Sequence, residues 1–207
     1  MDIQVTVANE SHTRYTQDIC YLIEDAARKR GTGIAKRSPD YIRDKIMEGK
    51  AVIALYREQL AGFCYIETWS NEQYIANSGL VVAEKFRNQG LAKKIKRYAF
   101  KLSRHKYPKA RLFGITTSLA VMKINSELGY QPVTFSELSE DDKFWQGCQS
   151  CPNYDILMRN KKKNCLCTGM LYDPKPQIPR KSSRFKLPEW IKKKRDKIKL
   201  RVLQTDE

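Results

Sequence analysis

The stretch best equipped for chemistry is Leu80-Val81-Val82-Ala83-Glu84-Lys85-Phe86-Arg87-Asn88-Gln89-Gly90-Leu91-Ala92. A strand ends at Val82, a short turn follows, and a helix opens at Gly90. The first N–H groups of a helix have no partner within it, and the helix dipole adds positive potential there. Successive backbone N–H groups at this helix start therefore form an anion site. Gly90 lets a phosphate approach the chain, and Ala92 keeps the first helical turn free of bulk. The arrangement suits a pyrophosphate. A lone glycine in such a turn would be an ordinary connection, so the surrounding pattern has to carry the reading.

A second chemical cluster is Cys148, Cys151, Cys165 and Cys167, spaced C-x2-C-x13-C-x-C. Four thiolates can hold one structural zinc ion tetrahedrally. The alternative is a set of reduced cysteines packed beside Phe144 and Trp145. No histidine or carboxylate joins the cluster, so catalytic zinc is not expected. Cys20 and Cys64 lie in apolar stretches and read as small buried hydrophobes.

The elements that must position these groups follow from periodicity. Ile3 to Ala8 alternates as a strand, and Tyr15 to Arg30 has helical spacing, stopped by Gly31. Ser38 caps a helix that runs to Glu48, with Pro39 in its first turn. Ala51 to Tyr56 and Leu60 to Thr68 are strands joined by Arg57-Glu58-Gln59. Tyr74 to Val82 is a strand, Gly90 to His105 a helix, Leu112 to Thr116 a strand, Ser118 to Leu128 a helix, and Tyr130 to Phe135 a strand. Asp155 to Met158 and Cys167 to Tyr172 are weaker strand candidates. The order β-α-α-β-β-β-α-β-α-β predicts an α/β (α+β) fold, with a mixed, mostly antiparallel central sheet flanked by helices. A doubly wound dinucleotide fold would alternate strand and helix from the start.

Three segments are expected: a catalytic core over 1–138, a cysteine-containing extension over 139–173 that completes the sheet, and a tail over 174–207. The tail holds a proline-containing linker and a basic helix from Pro188 to Val202. The net charge of the 207 residues is +16. From Pro174 onward twelve Lys or Arg face four Asp or Glu, so half the excess sits there. Such a tail reads as a solvated helix or as a contact for nucleic acid, anionic lipid or protein. Phe185 and Trp190 among its lysines favour single strands, yet no aromatic array along a strand supports base stacking. The remaining charge suits an acidic cofactor or substrate. No run is long and apolar enough to span a bilayer, and Met1 to Asn9 lacks the features of a signal peptide. A cytoplasmic protein is the expectation, and self-association stays open.

The pattern L-x-V-x-x-x-F-R-x-Q-G-L-A over Leu80 to Ala92 resembles the acyl-CoA loop of the GNAT acyltransferases. Glu84 stands where that family often has proline. The resemblance implies an enzyme using acetyl-CoA or another acyl-CoA as cosubstrate. Leu80, Val81 and Val82 would pair with its pantetheine, and Arg87, Asn88, Gln89, Gly90, Leu91 and Ala92 would cradle its pyrophosphate. The Val82 amide would polarise the thioester carbonyl. Many of these enzymes carry a tyrosine that protonates the leaving thiolate. Asn125 occupies that place here, in Asn125-Ser126-Glu127-Leu128-Gly129-Tyr130. It cannot be a general acid but can hydrogen-bond the cofactor, or it is simply a helix-surface residue. Glu67 and Glu72, near the central strands, are the candidate bases, alongside a water chain.

Two further stretches resemble the acyltransferase domain of bacterial N-acetylglutamate synthases. One is Arg30 to Pro39 followed by Ala51 to Ala54. The other joins Leu112 to Thr117 with Gly129 to Val133 and Glu137-Leu138. The resemblance implies acylation of the α-amino group of glutamate, as in arginine synthesis, with Lys36, Arg37 and Arg159 against the carboxylates. Lys161 stands where those enzymes have serine, and Glu24 or Asp25 near the place of a first-helix arginine. The competing readings are another amine acceptor, such as a polyamine, an antibiotic or a protein lysine, and a nucleic-acid module built on zinc and tail. Like-charge repulsion counts against a polycationic acceptor.

Overall fold

The computed structural model describes residues 2–31 and 36–175. A seven-stranded sheet has the order β1-β2-β3-β4-β5-β7-β6. Its strands are β1 Gln4–Val7, β2 Ala51–Tyr56, β3 Gln59–Trp69, β4 Tyr74–Val82, β5 Arg111–Thr116, β6 Gln131–Val133 and β7 Thr168–Tyr172. The β4–β5 pairing is parallel and the others are antiparallel. Helices α1 Thr16–Arg30, α2 Pro39–Met47, α3 Leu91–Lys106, α4 Leu119–Glu127, α5 Asp142–Gln146 and α6 Tyr154–Arg159 complete it. The mixed, mostly antiparallel sheet expected from the sequence is the one observed. The basic helix expected from Pro188 to Val202 lies outside the described residues. Among the described residues no helix is long and apolar enough to cross a membrane.

Local chemistry explains the boundaries. Gly31, with φ +66°, ends α1 and donates its N–H to the Ala27 carbonyl at 3.0 Å. Ser38 Oγ accepts the Tyr41 N–H at 3.2 Å to start α2. On β2, Ile53 faces α1 and α2 with Ile19, Ile23, Ile42 and Phe63. Its neighbours Val52 and Ala54 face α3 with Ile95 and Ala99. The period of two thus fills both faces.

Three boundaries differ from the sequence reading. A 3-10 turn, Glu10–Tyr15, precedes α1. The strand expected from Tyr130 to Phe135 shrinks to β6, with Pro132 tolerated on an edge strand, and gives way to a turn at Phe135–Glu137. The strand expected from Asp155 to Met158 is helix α6: only Leu157 is buried, so nothing alternates, and Arg159 pairs with Asp155 one turn back at 2.8 Å.

Strands β4 and β5 pair only from Tyr74 to Ala76, against Arg111 to Phe113. Beyond that β4 follows β3, while β5 pairs along its length with β7. The sheet opens between them. A bulge assists: Phe63 faces Val81 but Tyr65 faces Ser78, leaving an extra residue on β4. Gly79 sits there at φ +63°, and a Cβ on it would stand 2.3 Å from Tyr65 Cε1. Only glycine fits that conformation against that ring.

Lys96 of α3 is buried, with Nζ 5.4 Å from the centre of the Tyr130 ring. Burial pushes its pKa from 10.5 down to about 8, opposed only by Cys64. Between those values the unfolded chain holds the extra proton, so this group makes stability rise with pH across that window. Lys96→Met is therefore expected to be more stable than the parent near pH 7 and to lose this component of the rise. Urea midpoints at pH 7.5 and 10 measure it, and parallel pH dependence in parent and variant would contradict it.

Candidate active site

A cavity of about 530 Å³ occupies the opening between β4 and β5. Asn77 to Leu80 wall one side and Gly114 to Thr116 the other. Tyr65, Glu67 and Trp69, alternate residues of β3, line it together with Tyr41 from α2 and Phe144 from α5.

The ionisable core of the cavity is Arg37, Tyr41, Tyr65 and Glu67. The Tyr41 hydroxyl donates a short hydrogen bond to Glu67 Oε1. Arg37 Nε donates to the Tyr65 hydroxyl at 2.7 Å, and its Nη2 lies 3.8 Å from Glu67 Oε1. The guanidinium also stands over the Tyr41 ring, 5.1 Å from its centre. Burial, then the Glu67 charge, raises both phenols above their ordinary range, so they stay protonated. Burial opposes the Arg37 charge, but Tyr65 and Glu67 outweigh it and the guanidinium titrates above its usual value. Glu67 is 7% exposed, which makes it a buried carboxylate held by one hydroxyl donor and a nearby guanidinium charge at the edge of the cavity.

The strand that lines the cavity leads into the anion turn. The Ala83 N–H donates to the Ala61 carbonyl at 2.9 Å, and Val82 faces Gly62 in the same register. In an antiparallel pair successive residues alternate direction, so the Val82 N–H points away from β3, to the side where β5 has departed. Leu80, two residues back, has the same sense and lines the cavity, whereas Val81 is buried in the core. Arg87 Nε folds back onto the Val82 carbonyl at 3.1 Å. Asn88 and Gly90 adopt φ +59° and +73°, and α3 starts with no side-chain cap and no acidic residue in its first turn. Nothing lies within 4 Å of a Cβ built on Gly90. Gln89, Leu91 and Ala92 complete this turn, so its free N–H groups face open space. Arg30, on the cavity wall, stands near enough to Arg87 to feel its charge, while Arg87 in turn helps hold the Glu84 carboxylate down.

The remaining expected residues scatter. Lys36 lines the cavity but ties its Nζ to Glu24 at 2.9 Å. Glu72 lies on the exposed β3–β4 turn at φ +64° and does not line the cavity, so of the two candidate bases only Glu67 reaches it. Arg159 is likewise outside the cavity, exposed on α6 and paired with Asp155; helix replaces the strand that would have aimed it inward. Asn125 is not a surface residue: it is 1% exposed, its Nδ2 lies 3.7 Å from Met170 Sδ, and its Oδ1 has no partner among the described residues. Tyr41 and Lys143 line the cavity without having been expected. The period-two run Tyr65, Glu67, Trp69 was the readable signal for this wall; α5 offered none.

Cys148, Cys151, Cys165 and Cys167 line one small pocket of about 50 Å³ with Phe135 and Leu157. Their thiols are free. The donor set suits zinc, yet among the described residues no three His, Cys, Asp or Glu side chains are placed to hold a metal ion. Burial and neighbouring thiols push Cys148 up to about 11 and Cys167 up to about 12. The four-cysteine zinc site expected from the spacing is not assembled in this arrangement, which is one of free thiols packed against apolar side chains. Cys148 also touches the larger cavity, but a protonated thiol is a poor nucleophile, which disfavours an acyl-cysteine route.

The chain belongs to the acetyltransferase (GNAT) family, whose model matches residues 17–122. It is an acyl-CoA-dependent N-acyltransferase. Among solved structures it is similar to N-acetylglutamate synthase from Neisseria gonorrhoeae complexed with coenzyme A and N-acetyl-glutamate. The TM-score is 0.59 at 17% identity, covering 84% of this chain and 35% of that one. This chain thus spans about a third of that protein. A GNAT-family acetyltransferase from Staphylococcus aureus superposes at TM-score 0.60 and 13% identity, covering 84% of this chain and all of the other (100%). Diaminobutyrate acetyltransferase from Paenibacillus lautus, in complex with L-2,4-diaminobutyric acid and coenzyme A, gives 0.54 at 12% identity, covering 84% and 95%. At these identities the likeness is one of fold. No protein with a curated description matches the chain in sequence.

Saturating acetyl-CoA is expected to raise the melting temperature by roughly 5 °C or more, since ligand at a hundredfold its Kd adds about 2.7 kcal/mol. Gly90→Val should remove most of that shift, because a branched side chain cannot hold φ +73° and would fill the space above the turn. A thermal scan with and without acetyl-CoA checks both; no shift in the parent would contradict the assignment of the turn.

Proposed function

We propose that the enzyme acylates the α-amino group of an acidic amino acid, with glutamate as the best fit, as in the first step of arginine synthesis. The observation that carries this reading is the charge of the cavity wall. Arg30, Lys36, Arg37 and Lys143 line it against one carboxylate, Glu67. A guanidinium presents a planar fork that matches a carboxylate, and Arg37 is held in place by Tyr65 and Glu67. A polyamine, an aminoglycoside or a protein lysine would meet like charge there. Two fold neighbours carry amino-acid ligands, N-acetyl-glutamate in one and diaminobutyric acid in the other.

In this reading acyl-CoA enters along the open edge of β4, its pantetheine beside Leu80 to Val82 and its pyrophosphate on the N–H groups from Asn88 to Ala92, since the expected Arg87 N–H is taken by the Glu84 carbonyl at 3.1 Å. The acceptor lies on the β3 side. Its amine must be neutral to attack, and Glu67 takes the proton as general base. The nitrogen attacks the thioester carbon, and the Val82 N–H donates to the oxygen as it gains charge. The C–S bond then breaks and the thiolate leaves as CoA. With Asn125 in the tyrosine's place, the proton that neutralises the thiolate comes from water or from the proton released by the amine. Tyr41 holds the Glu67 carboxylate through Oε1, leaving Oε2 to face the amine.

Thiol release from acetyl-, propionyl- and succinyl-CoA, crossed with an amino-acid panel, tests the substrate. Glutamate or a close acidic relative is expected to turn over best; turnover of spermidine or lysine with none of glutamate would contradict the reading. Glu67→Gln is expected to lower kcat about 10²–10⁴-fold, the usual range for losing a general base, with little change in KM for acyl-CoA. Unchanged kcat would move the proton transfer to a water chain.

A further inference from the structure

Lys143 stands apart from the other cations of the cavity. Lys36 is tied to Glu24, Arg37 leans on Tyr65 and Glu67, and Arg30 lies near Arg87 on the cofactor side. Lys143 has no carboxylate partner among the described residues, although acids flank it in sequence. Asp142 is committed to Lys162 at 2.6 Å. The Asp141 carboxylate accepts the backbone N–H groups of Lys143, at 3.0 Å, and Ser70, at 3.3 Å. The side chain is exposed and lines the cavity, while its backbone N–H is held by Asp141, itself anchored to Ser70.

That pinning is extensive. Ser139 Oγ and Ser70 Oγ lie 3.0 Å apart in a hydrogen bond, and the indole N–H of buried Trp145 donates to the Ser139 carbonyl at 2.9 Å. Phe144, the next residue, packs edge-on against Trp69 at 5.7 Å and Phe113 at 4.8 Å between ring centres. A lysine on so firmly held a helix start is placed rather than merely solvated. Beside it, the Nε1 of Trp69 is buried and has no acceptor among the described residues, and Trp69 lines the same cavity. A buried donor without a partner is costly, and a ligand oxygen would satisfy it. An unpaired ammonium and an unpaired indole N–H on two residues that line one cavity suit an anionic oxygen ligand.

We infer that Lys143, with the indole N–H of Trp69, receives the side-chain carboxylate of the acceptor and sets the preference for an acidic over a neutral amino acid. The inference rests on the acidic-acceptor reading above and takes over the role expected of Arg159, which the fold carries away on α6. Arg37 then remains for the α-carboxylate, close to the general base, so the two carboxylates of the substrate are bound at separate points and the amine is held between them.

The test compares glutamate and glutamine, which differ only at that carboxylate, in the full-length enzyme with acetyl-CoA. The parent is expected to prefer glutamate. Lys143→Met should lower kcat/KM for glutamate about tenfold or more, mainly through KM, and so collapse the preference over glutamine. Lys143→Arg should restore much of it, and KM for acetyl-CoA should stay within about twofold in both variants. An unaltered thermal shift with acetyl-CoA confirms that each variant is folded. Lys143→Met with an undiminished preference for glutamate would overturn the inference while leaving the acidic-acceptor reading intact. A parent enzyme that acetylates no acidic amino acid would overturn that reading, and the inference with it.

Discussion

Strands β4 and β5 share three residues of parallel pairing and then separate. The separation arises because two antiparallel partnerships compete for them: β3 holds β4 along its length, and β7 holds β5. A parallel sheet that continued would bury the edge of β4 and leave no room for a cofactor. Where it stops, a row of backbone donors and acceptors is left for a ligand to pair with, as an added strand pairs with a sheet edge. The cavity, the outward N–H of Val82 and the approach to the anion turn all depend on this opening. The Gly79 bulge belongs to the same device, since it changes the register just where the strand must turn its amides toward the substrate.

The acceptor side is built differently. In the proposed reading it gathers the segment before α2, the middle of β3 and the start of α5, and would bind by charge. Glu67 is kept buried because Tyr41 and Arg37 offset its desolvation, and Arg37 is kept charged by Glu67 and Tyr65 in return. Removing one member would leave another buried without its partner. The cofactor half thus relies on backbone geometry, which tolerates changes of side chain, and the acceptor half on a small set of mutually dependent side chains.

That division also decides what could be read from the residues alone. The anion turn is contiguous, so Leu80 to Ala92 announces itself in thirteen consecutive positions, and the element order around it follows from periodicity. The acceptor half is assembled from residues as far apart as Arg37, Glu67 and Lys143, and no local spacing links them. Arg159 was expected through short matched pieces, but a segment with one buried residue in six folds as helix and points elsewhere. Of the two readings left open for Asn125, a cofactor contact or a helix-surface position, the second does not hold, since it is buried against Met170. The cysteine spacing suggested zinc, while the pocket it forms holds free thiols among aromatic and aliphatic side chains.

The central claim is that acyl-CoA pairs with the free edge of β4 and with the first turn of α3. Amide hydrogen exchange with and without acetyl-CoA measures it at those groups. The account predicts strong protection on binding confined to Leu80 to Val82 and Asn88 to Lys93, with little change on β1 or β2. Protection absent from both segments while the cofactor is bound would contradict it.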